Sequence, residues 1–500
     1  MKGLRETLEE IRAAERRVLV VGLGVSGIQG ARLLANRGLK VTVIEKKAEQ
    51  LFRAGASATA GLSAIQEIGV QVVFGVDGEG VAAHLAQVGL AVLSPGVSLE
   101  SSIVGALRRH GIPCVAELEV VTELHNGGVL VVTGSTGKST TAALIDHIMK
   151  GAGVRSTLCG TRGIPVVSNG EASGSVQGEG SLLVVEASSY QLEACSFLKP
   201  QVSVVVTISE DHLERHGSLE RYAAAKERVL RLQTADDLAV VNADDPIVVS
   251  MSRRCRASKA VFGAAPPSEL SKLSSTWAHI SYLTSPLGEI IVSHRGVVEE
   301  YSTERVQILG RHNRYAIAAA ILSARHMGVS QEVVQAGLES FQPLQHRLEV
   351  FHTVGGQVVI NDSRSTNVAA TVAALTTVLE HYPSSRVALM IGGLSKAGAW
   401  SPLLTDIASQ SSRRDISVIC FGRDAALLAS HCRAAGVSHV VAERLEDATS
   451  QALSMTAGGG VVLLSPGCAS FDEYADFEHR GAAFKNFVRS CFRQEERTSL

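Results

Sequence analysis

The sequence lacks the features that would point to a membrane or a nucleic acid. No apolar run approaches the roughly 18 residues that a membrane-spanning helix needs. The charged N-terminal segment, residues 1–17, has no apolar core of the kind found in secretory signals. The 47 basic and 49 acidic residues nearly balance, so no excess of positive charge marks a nucleic-acid surface. We therefore expect no membrane insertion and no nucleic-acid partner.

Cysteine pairs are also missing. The eight cysteines are scattered and none forms a Cys-x-x-Cys pair, so the sequence shows no zinc framework. Scattered cysteines of this kind are typical of a reducing compartment, and we expect a cytoplasmic location. The apolar content of 45% and the charged content of 19% indicate a folded globular chain. Its 500 residues exceed one core, so several domains are expected.

Apolar strands alternate with amphipathic helices along three stretches of the chain. This alternation predicts an α/β fold with parallel sheets, whose binding sites lie at the carboxyl ends of the strands. We predict a Rossmann-like N-terminal domain over residues 1–115, a central P-loop ATP-binding α/β domain over 116–343, and a C-terminal Rossmann-like α/β domain over 344–500. The polar segment 253–300 has weak strand signals and is expected to form antiparallel structure or a peripheral insert.

The strongest local signal follows the apolar strand at 128–133. The segment GSTGKST leads from this strand into a helix, and glycines in such a loop let backbone N–H groups wrap a phosphate. Its lysine can reach the terminal phosphates of a nucleotide, and one of the following hydroxyls can ligate Mg²⁺. The predicted nucleotide-binding residues are Gly134, Ser135, Thr136, Gly137, Lys138, Ser139 and Thr140. The loop is shorter than the common P-loop, because Val132 stands where its first glycine would be.

A second glycine-rich turn, GLGVSG, lies near the N-terminus. Its candidate ligand-binding residues are Gly22, Gly24, Ser26 and Gly27, with Glu45 at the end of the next strand. By pattern alone this turn could bind NAD or the phosphates of another nucleotide or nucleotide sugar. A plain tight turn is the structural alternative.

Three polar side chains of the central domain are candidate catalytic residues. Glu186 follows an apolar strand, where a Mg²⁺ ligand belongs, although a buried structural glutamate is the alternative. His212 follows another strand and could equally lie in a solvated loop. Lys226 lies within a helix, and by itself it has the pattern of an exposed lysine.

Polar residues also mark the border and the loops of the C-terminal domain. Asn313 begins a helix, and Arg347 and Asp362 could contact phosphate and ribose or could form structural salt bridges. Lys396 lies in a glycine-rich loop, and Ser470 precedes a cluster of aromatic residues. Either of these two segments could bind an anionic substrate or form a surface loop.

Taken together, these motifs resemble the Mur ligase family over essentially the whole chain and in the same order. Lys226 lies at the distance from the DHLERH motif that the family shows. The segment 465–481 is similar to the C-terminal pattern SPACASFDxFxxFxxRG of those members that add D-glutamate. The other matching segments are GSTGKST (134–140), DHLERH (211–216), HRLE (346–349), NDSRSTN (361–367) and GGLSK (392–396).

The resemblance implies an ATP-dependent amide ligase of peptidoglycan precursor synthesis. Its first domain would bind UDP rather than NAD, its central domain ATP, and its third domain the amino acid. The implied reaction adds D-glutamate to UDP-N-acetylmuramoyl-L-alanine through an acyl phosphate. These two substrates and ATP are the implied partners, and a monomer is expected.

The resemblance also assigns roles to single residues. Ser139 and Glu186 would hold one of two Mg²⁺ ions, and His212 and a carbamylated Lys226 would hold the other, while Lys138 would neutralise phosphate charge. Asn313, Arg347 and Asp362 would contact ATP. The residues implied around D-glutamate are Thr366, Lys396, Ser470, Phe471 and Phe477.

Some positions depart from the family pattern. Thr136 replaces an asparagine of the loop, Ala316 replaces a second asparagine, and Arg364 replaces a lysine; Arg162 also differs. These changes fall at places of substrate recognition, whereas the metal and phosphate residues remain, so an active enzyme is expected. The alternatives are another amide ligase, an oxidoreductase built on GLGVSG, and a non-catalytic nucleotide-binding protein of the cell-wall machinery.

Overall fold

The computed structural model describes residues 3–50, 56–160, 180–280, 289–310, 312–354, 356–395, 400–410 and 414–498. These residues form three β-sheets with helices between their strands. The chain divides into two compact units, one of residues 1–306 and 314–340 and the other of residues 307–313 and 341–500. The first unit contains two of the sheets and the second contains the third, so the predicted α/β architecture is confirmed.

The first sheet has five parallel strands in the order β3-β2-β1-β4-β5. Its central strands are short runs of Val, Leu and Ile that are buried on both faces, as expected where helices cover both sides of a sheet. The strands are β1 (Arg17–Val21), β2 (Lys40–Glu45), β3 (Gln71–Phe74), β4 (Val88–Leu93) and β5 (Cys114–Ala116). The helices are α1 (Leu4–Ala13), α2 (Val25–Asn36), α3 (Ala56–Glu67), α4 (Ser102–Arg109) and α5 (Glu117–Leu124), with a 3₁₀ helix at Gly78–His84.

The second sheet has nine strands in the order β14-β13-β12-β11-β10-β9-β6-β8-β7. The strands are β6 (Gly128–Thr133), β7 (Arg155–Gly160), β8 (Ser181–Glu186), β9 (Val202–Val205), β10 (Leu238–Asn242), β11 (Ser258–Gly263), β12 (Thr276–Ile280), β13 (Glu289–His294) and β14 (Val297–Ser302). The helices are α6 (Lys138–Gly151), α7 (Ser189–Leu192), α8 (Leu213–His216), α9 (Leu219–Glu227), α10 (Pro246–Arg254), α11 (Pro267–Leu273), α12 (His312–His326) and α13 (Gln331–Ser340), with a 3₁₀ turn at Arg228–Leu230.

The expectation for residues 253–300 is correct in one part and wrong in another. The strands β12, β13 and β14 do pair in antiparallel fashion. However, β11 and β12 are parallel and continue the central sheet from β10, so this segment is an extension of the sheet and not a peripheral insert. The sequence signal was weak because β14 departs from a clean alternation: Val297 and Val298 are exposed, whereas Glu299 is buried.

The third sheet has six strands in the order β15-β16-β20-β17-β18-β19, all parallel except the edge pair β15–β16. The strands are β15 (Glu349–Val354), β16 (Gln357–Asn361), β17 (Val387–Gly392), β18 (Ile416–Phe421), β19 (His439–Val441) and β20 (Gly460–Gly467). The helices are α14 (Val368–His381), α15 (Ser401–Gln410), α16 (Ala425–Ala434), α17 (Leu445–Met455) and α18 (Phe477–Thr498). Within the described ranges, no helix combines the length and the apolar character needed to cross a membrane.

Candidate active site

The predicted phosphate loop, residues 134–140, follows β6 and runs into the first turn of α6. Gly134 and Gly137 adopt φ values of 148° and 88°, which are left-handed conformations that favour glycine. A side chain at Gly134 would lie 3.0 Å from the carbonyl oxygen of Thr207, so the loop passes close to the end of β9. The N–H of Ser135 donates to Thr207 O at 2.6 Å and that of Thr136 to Thr207 Oγ1 at 3.3 Å. These two N–H groups are thus directed at the neighbouring strand end in this conformation.

Two lysines converge on one carbonyl group of this loop. Lys138 Nζ donates to Gly134 O at 2.9 Å and to Ser135 O at 3.0 Å. Lys226 Nζ, which comes from α9, donates to the same Gly134 O at 2.8 Å. The lysine predicted to be exposed by its helical pattern is in fact only 1% exposed. Packing therefore places two ammonium groups at a single loop.

Burial also changes the protonation chemistry of Lys226. Loss of hydration and, next, the charge of Lys138 lower the pKa of Lys226 from 10.5 to about 7. The ring of Tyr222 lies 4.6 Å from Lys226 Nζ, and its hydroxyl lies 3.1 Å from Ser135 Oγ. Tyr222, which the sequence analysis did not single out, thus packs against both the lysine and the loop.

Ser139 and Glu186 form a buried pair beside the loop. Ser139 Oγ donates to Glu186 Oε1 at 2.8 Å, and the two residues are 5% and 3% exposed. Both positions follow from the sheet, because β8 lies next to β6 and both strands end at the same edge. Thr140, the next residue of α6, is also buried.

His212 lies in the loop between β9 and α8. Its backbone has a φ of 52°, a left-handed conformation that is uncommon for residues other than glycine and that often marks functional sites. Its side chain is 44% exposed, and Nε2 lies 3.6 Å from Asp211 Oδ2. The rings of His212 and Tyr222 lie 6.5 Å apart, so His212 and Lys226 approach the same tyrosine.

The donor set fits one hard divalent cation as it stands. Ser139 and Glu186 offer a hydroxyl and a carboxylate oxygen, which are ligands that Mg²⁺ prefers. His212 offers a ring nitrogen, but the ammonium form of Lys226 is not a metal ligand. In the part of the chain that the structure describes, no group of three or more His, Cys, Asp and Glu side chains could hold a metal ion.

The N-terminal glycine-rich turn lines a cavity of about 800 Å³, within the usual size range of small-molecule sites. Gly22, Gly24, Ser26 and Glu45 all line it, together with residues 94–98 after β4. Gly27 lies in the first turn of α2 below the cavity. A side chain there would meet Gly22 O at 1.9 Å, which explains the glycine.

Two carboxyl groups support this turn. Glu45 accepts hydrogen bonds from the N–H groups of Leu23 at 2.8 Å and Lys47 at 3.0 Å. Glu117, which the sequence analysis did not single out, is 5% exposed, and among the described residues its Oε2 has no hydrogen-bond partner. Burial raises the pKa of Glu117 to about 8, against the opposing hydrogen bond from Ser26.

The predicted ATP-contacting residues of the second unit are largely engaged with their own domain. Asp362 accepts hydrogen bonds from Leu348 N at 3.2 Å, Ser365 Oγ at 2.5 Å and Ser465 Oγ at 2.9 Å. Burial is the largest effect on Asp362 and raises its pKa to about 6, while its hydrogen bonds and the charge of Arg347 act in the opposite direction. The remaining predicted residue, Asn313, donates from Nδ2 to Leu309 O at 2.6 Å.

Three of the residues implied around D-glutamate lie in the loops after β16 and β20. Ser470 is buried, Thr366 is half-buried, and Phe471 is 71% exposed. Phe477 begins α18, where its ring lies 5.6 Å from the guanidinium of Arg364. Lys396 lies outside the described residues, as does Arg162.

One residue that sequence reasoning passed over, Arg480, ties three of these loops together. It is 1% exposed and donates to Ser363 O at 2.9 Å, to Cys468 O at 3.1 Å and to Gly392 O at 3.4 Å. Ser363 and Cys468 follow the ends of β16 and β20, and Gly392 is the last residue of β17. The signal was present, because Arg480 belongs to the segment 465–481.

Family models match most of the chain. The model described as "Mur ligase MurD-like, N-terminal domain" matches residues 16–116, "Mur ligase middle domain" matches 132–324, and "Mur ligase, glutamate ligase domain" matches 346–468. The chain belongs to the Mur ligase family. The family resemblance is therefore confirmed, whereas the domain limits 1–115, 116–343 and 344–500 stay predictions.

Full-length relatives of this Mur ligase carry a more specific name. The UDP-N-acetylmuramoylalanine--D-glutamate ligase of Koribacter versatilis is 33% identical over 482 residues, covering 96% of this chain and 99% of the relative. The protein of the same name from Anaeromyxobacter dehalogenans is 35% identical over 478 residues, covering 94% and 97%.

Solved structures support the fold of this Mur ligase. The UDP-N-acetylmuramate-alanine ligase MurC of Thermotoga maritima matches with a TM-score of 0.55 at 18% identity, covering 95% of this chain and all of that one. MurF of Acinetobacter baumannii matches with a TM-score of 0.59 at 14% identity, covering 97% and 98%.

Proposed function

We propose that this Mur ligase joins D-glutamate to UDP-N-acetylmuramoyl-L-alanine at the expense of ATP, in the cytoplasm, as a step of peptidoglycan precursor synthesis. The observation that carries the proposal is the phosphate loop with two lysines and a buried hydroxyl–carboxylate pair around it. The relatives that span the whole chain and bear the D-glutamate ligase name support the choice of amino acid.

The proposed reaction has two steps that balance in atoms and charge. A carboxylate oxygen of the alanyl group attacks the γ-phosphorus of ATP, which forms an acyl phosphate and releases ADP. The amine of D-glutamate then attacks the acyl carbon, phosphate leaves, and the nitrogen loses a proton. The first step brings an anionic carboxylate to an anionic triphosphate, so it needs cationic groups nearby. Lys138 is the residue of this chain that supplies positive charge to the phosphates.

Bound Mg²⁺ ions would neutralise further charge between the carboxylate and the triphosphate. We propose that Ser139 and Glu186 hold one ion and that His212 and a carbamylated Lys226 hold a second. Carbamylation converts the lysine into an anionic oxygen ligand, which suits a hard cation. The modification joins the neutral amine to CO₂ and releases one proton.

The environment of Lys226 favours this modification. With a pKa of about 7, roughly half of the side chains are neutral at pH 7, against about one in 3,000 for an ordinary lysine. Nζ also contacts the carbonyl oxygen of Gly134 in the predicted phosphate loop, so a carbamate there would be close to the proposed nucleotide-binding residues. The residues around Lys226 thus favour the neutral amine that reacts with CO₂ and place it beside the predicted nucleotide site.

The N-terminal domain contains a cavity suited to the nucleotide part of the substrate. We propose that the cavity at Gly22, Gly24, Ser26 and Glu45 receives the UDP portion of the substrate. Its lining includes Lys46 and Lys47, which can neutralise diphosphate charge, and the N-terminus of α2, which favours anions.

We propose that the C-terminal domain binds D-glutamate and contacts ATP. Asn313, Arg347 and Asp362 are the proposed ATP contacts. The proposed D-glutamate-binding residues are Thr366, Lys396, Ser470, Phe471 and Phe477. An ammonium group and a serine hydroxyl are suitable partners for the carboxylates of this amino acid.

The test follows ADP release by the purified chain with UDP-N-acetylmuramoyl-L-alanine and each candidate amino acid in turn. We expect release with D-glutamate. Release with L-lysine or diaminopimelate and none with D-glutamate would refute the proposed substrate. NAD binding by the free protein would favour the oxidoreductase alternative, and light scattering tests the proposed monomer.

The carbamate has its own test. Lys226→Ala should nearly abolish turnover, and acetate should restore part of it by supplying a carboxylate at the vacated position. Lys272→Ala, which removes an exposed lysine of α11, is the matched control and should keep full activity. Full activity of Lys226→Ala would contradict the carbamate role.

A further inference from the structure

Tyr190 lies beside the imidazole of His212 in an arrangement that the proposed reaction does not yet use. Its hydroxyl oxygen, Oη, is 3.2 Å from His212 Nδ1 and 3.5 Å from Glu214 Oε1. The third distance, from Nδ1 to Glu214 Oε1, is 3.4 Å. A tyrosine, a histidine and a carboxylate therefore form a closed triangle on one side of the imidazole ring.

The chemistry of the three groups selects one placement of the protons. An ionised carboxylate only accepts hydrogen bonds, whereas a phenol donates one and accepts others. The consistent arrangement is Nδ1–H donating to Tyr190 Oη, whose own hydrogen is donated to Glu214 Oε1. The reverse arrangement would place the bare lone pair of Nδ1 against Glu214 Oε1 at 3.4 Å. On the other side of the ring, Asp211 Oδ2 lies 3.6 Å from Nε2, which is beyond hydrogen-bond distance, so the two nearer oxygens on the Nδ1 side decide the tautomer. The triangle therefore favours the tautomer of His212 with hydrogen on Nδ1 and a lone pair on Nε2.

Tyr190 is itself held in place from its other side. The guanidinium of Arg215 lies 5.0 Å from the centre of the tyrosine ring. Arg215 also donates to Val97 O at 2.9 Å and is paired with Glu193, so its guanidinium is held by two further partners. Since the backbone of His212 is also constrained at a φ of 52°, the imidazole direction is set from two sides.

We propose that Tyr190 is a positioning residue that keeps His212 in the Nδ1–H tautomer and so leaves Nε2 free to ligate a divalent cation. Histidines that bind metals usually donate their other ring N–H to an oxygen, and loss of that partner costs about 10- to 100-fold in metal affinity. The inference rests on the proposed role of His212 as a ligand. It assigns to the hydroxyl group of Tyr190 a function that a purely apolar ring could not serve.

The substitution that tests this is Tyr190→Phe, because it removes the hydroxyl and keeps the ring against Arg215. Glu214 remains within 3.4 Å of Nδ1, so the double variant Tyr190→Phe/Glu214→Ala is needed to remove both oxygens. Tyr315→Phe is the matched control, because its hydroxyl lies in the same unit and donates to Asp244 Oδ2 at 2.9 Å.

The first measurement is the ¹⁵N NMR spectrum of the full chain with labelled histidine and no metal, at about pH 8.5, well above the ordinary histidine pKa of about 6.5. His212→Gln identifies the signals of His212. We expect protonated Nδ1 and bare Nε2 in the parent chain and in Tyr315→Phe. The population of this tautomer should fall in Tyr190→Phe and fall further in the double variant.

The second measurement titrates the same proteins with Mn²⁺ alone, followed by electron paramagnetic resonance. We expect affinity about tenfold weaker in Tyr190→Phe and unchanged in Tyr315→Phe. If His212→Gln binds Mn²⁺ as tightly as the parent chain, the proposed ligand role fails. If His212→Gln weakens binding but Tyr190→Phe changes neither affinity nor tautomer, only the role of Tyr190 fails. A parent chain with hydrogen on Nε2 would also overturn it.

Discussion

Replacing Gly27 with alanine should destabilise the first unit, against what helix propensity predicts. Gly27 lies inside α2, where an exchange of glycine for alanine ordinarily stabilises by about 1 kcal/mol. However, the new Cβ would lie 1.9 Å from Gly22 O and 2.8 Å from Ser94 Oγ, whereas ordinary contacts begin near 3.4 Å. The turn would have to open by about 1.5 Å (3.4 minus 1.9) to accept the methyl group.

The size of the destabilisation depends on which atom the new Cβ contacts. Overpacking costs about 1–3 kcal/mol in well-packed regions, and the upper end applies here because the obstacle is a backbone carbonyl that cannot rotate away. Subtracting the propensity gain leaves a net loss of about 2 kcal/mol. With an unfolding entropy of about 2.1 cal/mol/K per residue, a loss of about 2 kcal/mol lowers the Tm of a unit of this size by roughly 3 °C.

Calorimetry of the full chain measures the effect, and Gly24→Ala provides the control from the same motif. Gly24 has a φ of −69°, and no atom lies within 4 Å of its added Cβ, so its Tm should change by little. Isothermal titration with UDP then reports whether the cavity persists in Gly27→Ala, where we expect weaker binding. Equal melting temperatures for the two variants would refute the steric reasoning.

Three further predictions concern buried charge. Burial raises the pKa of Glu117 from 4.5 to about 8, so the folded state loses roughly 5 kcal/mol of stability as the pH rises through this window. In urea unfolding, Glu117→Gln should therefore be more stable than the parent chain at pH 9 but not at pH 4. Arg480→Met should destabilise the second unit by about 3 kcal/mol, since it leaves buried carbonyl groups unpartnered; an unchanged unfolding midpoint would contradict this. Glu186→Gln should lower Mg²⁺-dependent turnover at least 100-fold while the Tm stays within a few degrees of the parent value. Activity equal to that of the parent chain at all Mg²⁺ concentrations would exclude Glu186 as a metal ligand.

Local sequence was sufficient where function depends on neighbouring residues. The phosphate loop at Gly134–Thr140 was predictable because a strand, two glycines, a lysine and a hydroxyl occur within a dozen residues. The bounds of β6, Gly128–Thr133, coincide with the predicted strand for the same reason. Glu186 was found as a strand-end carboxylate, and the parallel pairing of β8 with β6 brings it to Ser139.

Other features depend on contacts that the local sequence does not reveal. Arg480 contacts residues 12 to 117 positions away in the chain. Glu117 has the sequence pattern of an ordinary helix residue, and only the tertiary structure buries it under the glycine-rich turn. The parallel course of β11 and β12 was missed because their pattern is weak and pairing depends on partners elsewhere in the chain.

The sequence by itself determined the kind of chemistry, whereas the tertiary structure decided how the side chain of Lys226 behaves. A glycine-rich loop that follows a strand and carries a lysine predicts phosphate binding from local sequence, because the backbone N–H groups and the lysine lie within a few residues of one another. Lys226 is different: its helix would suit a solvated lysine, yet its Nζ reaches a carbonyl 92 residues away. Burial beside Lys138 is what lowers its pKa to about 7, and burial is a property of packing between distant segments.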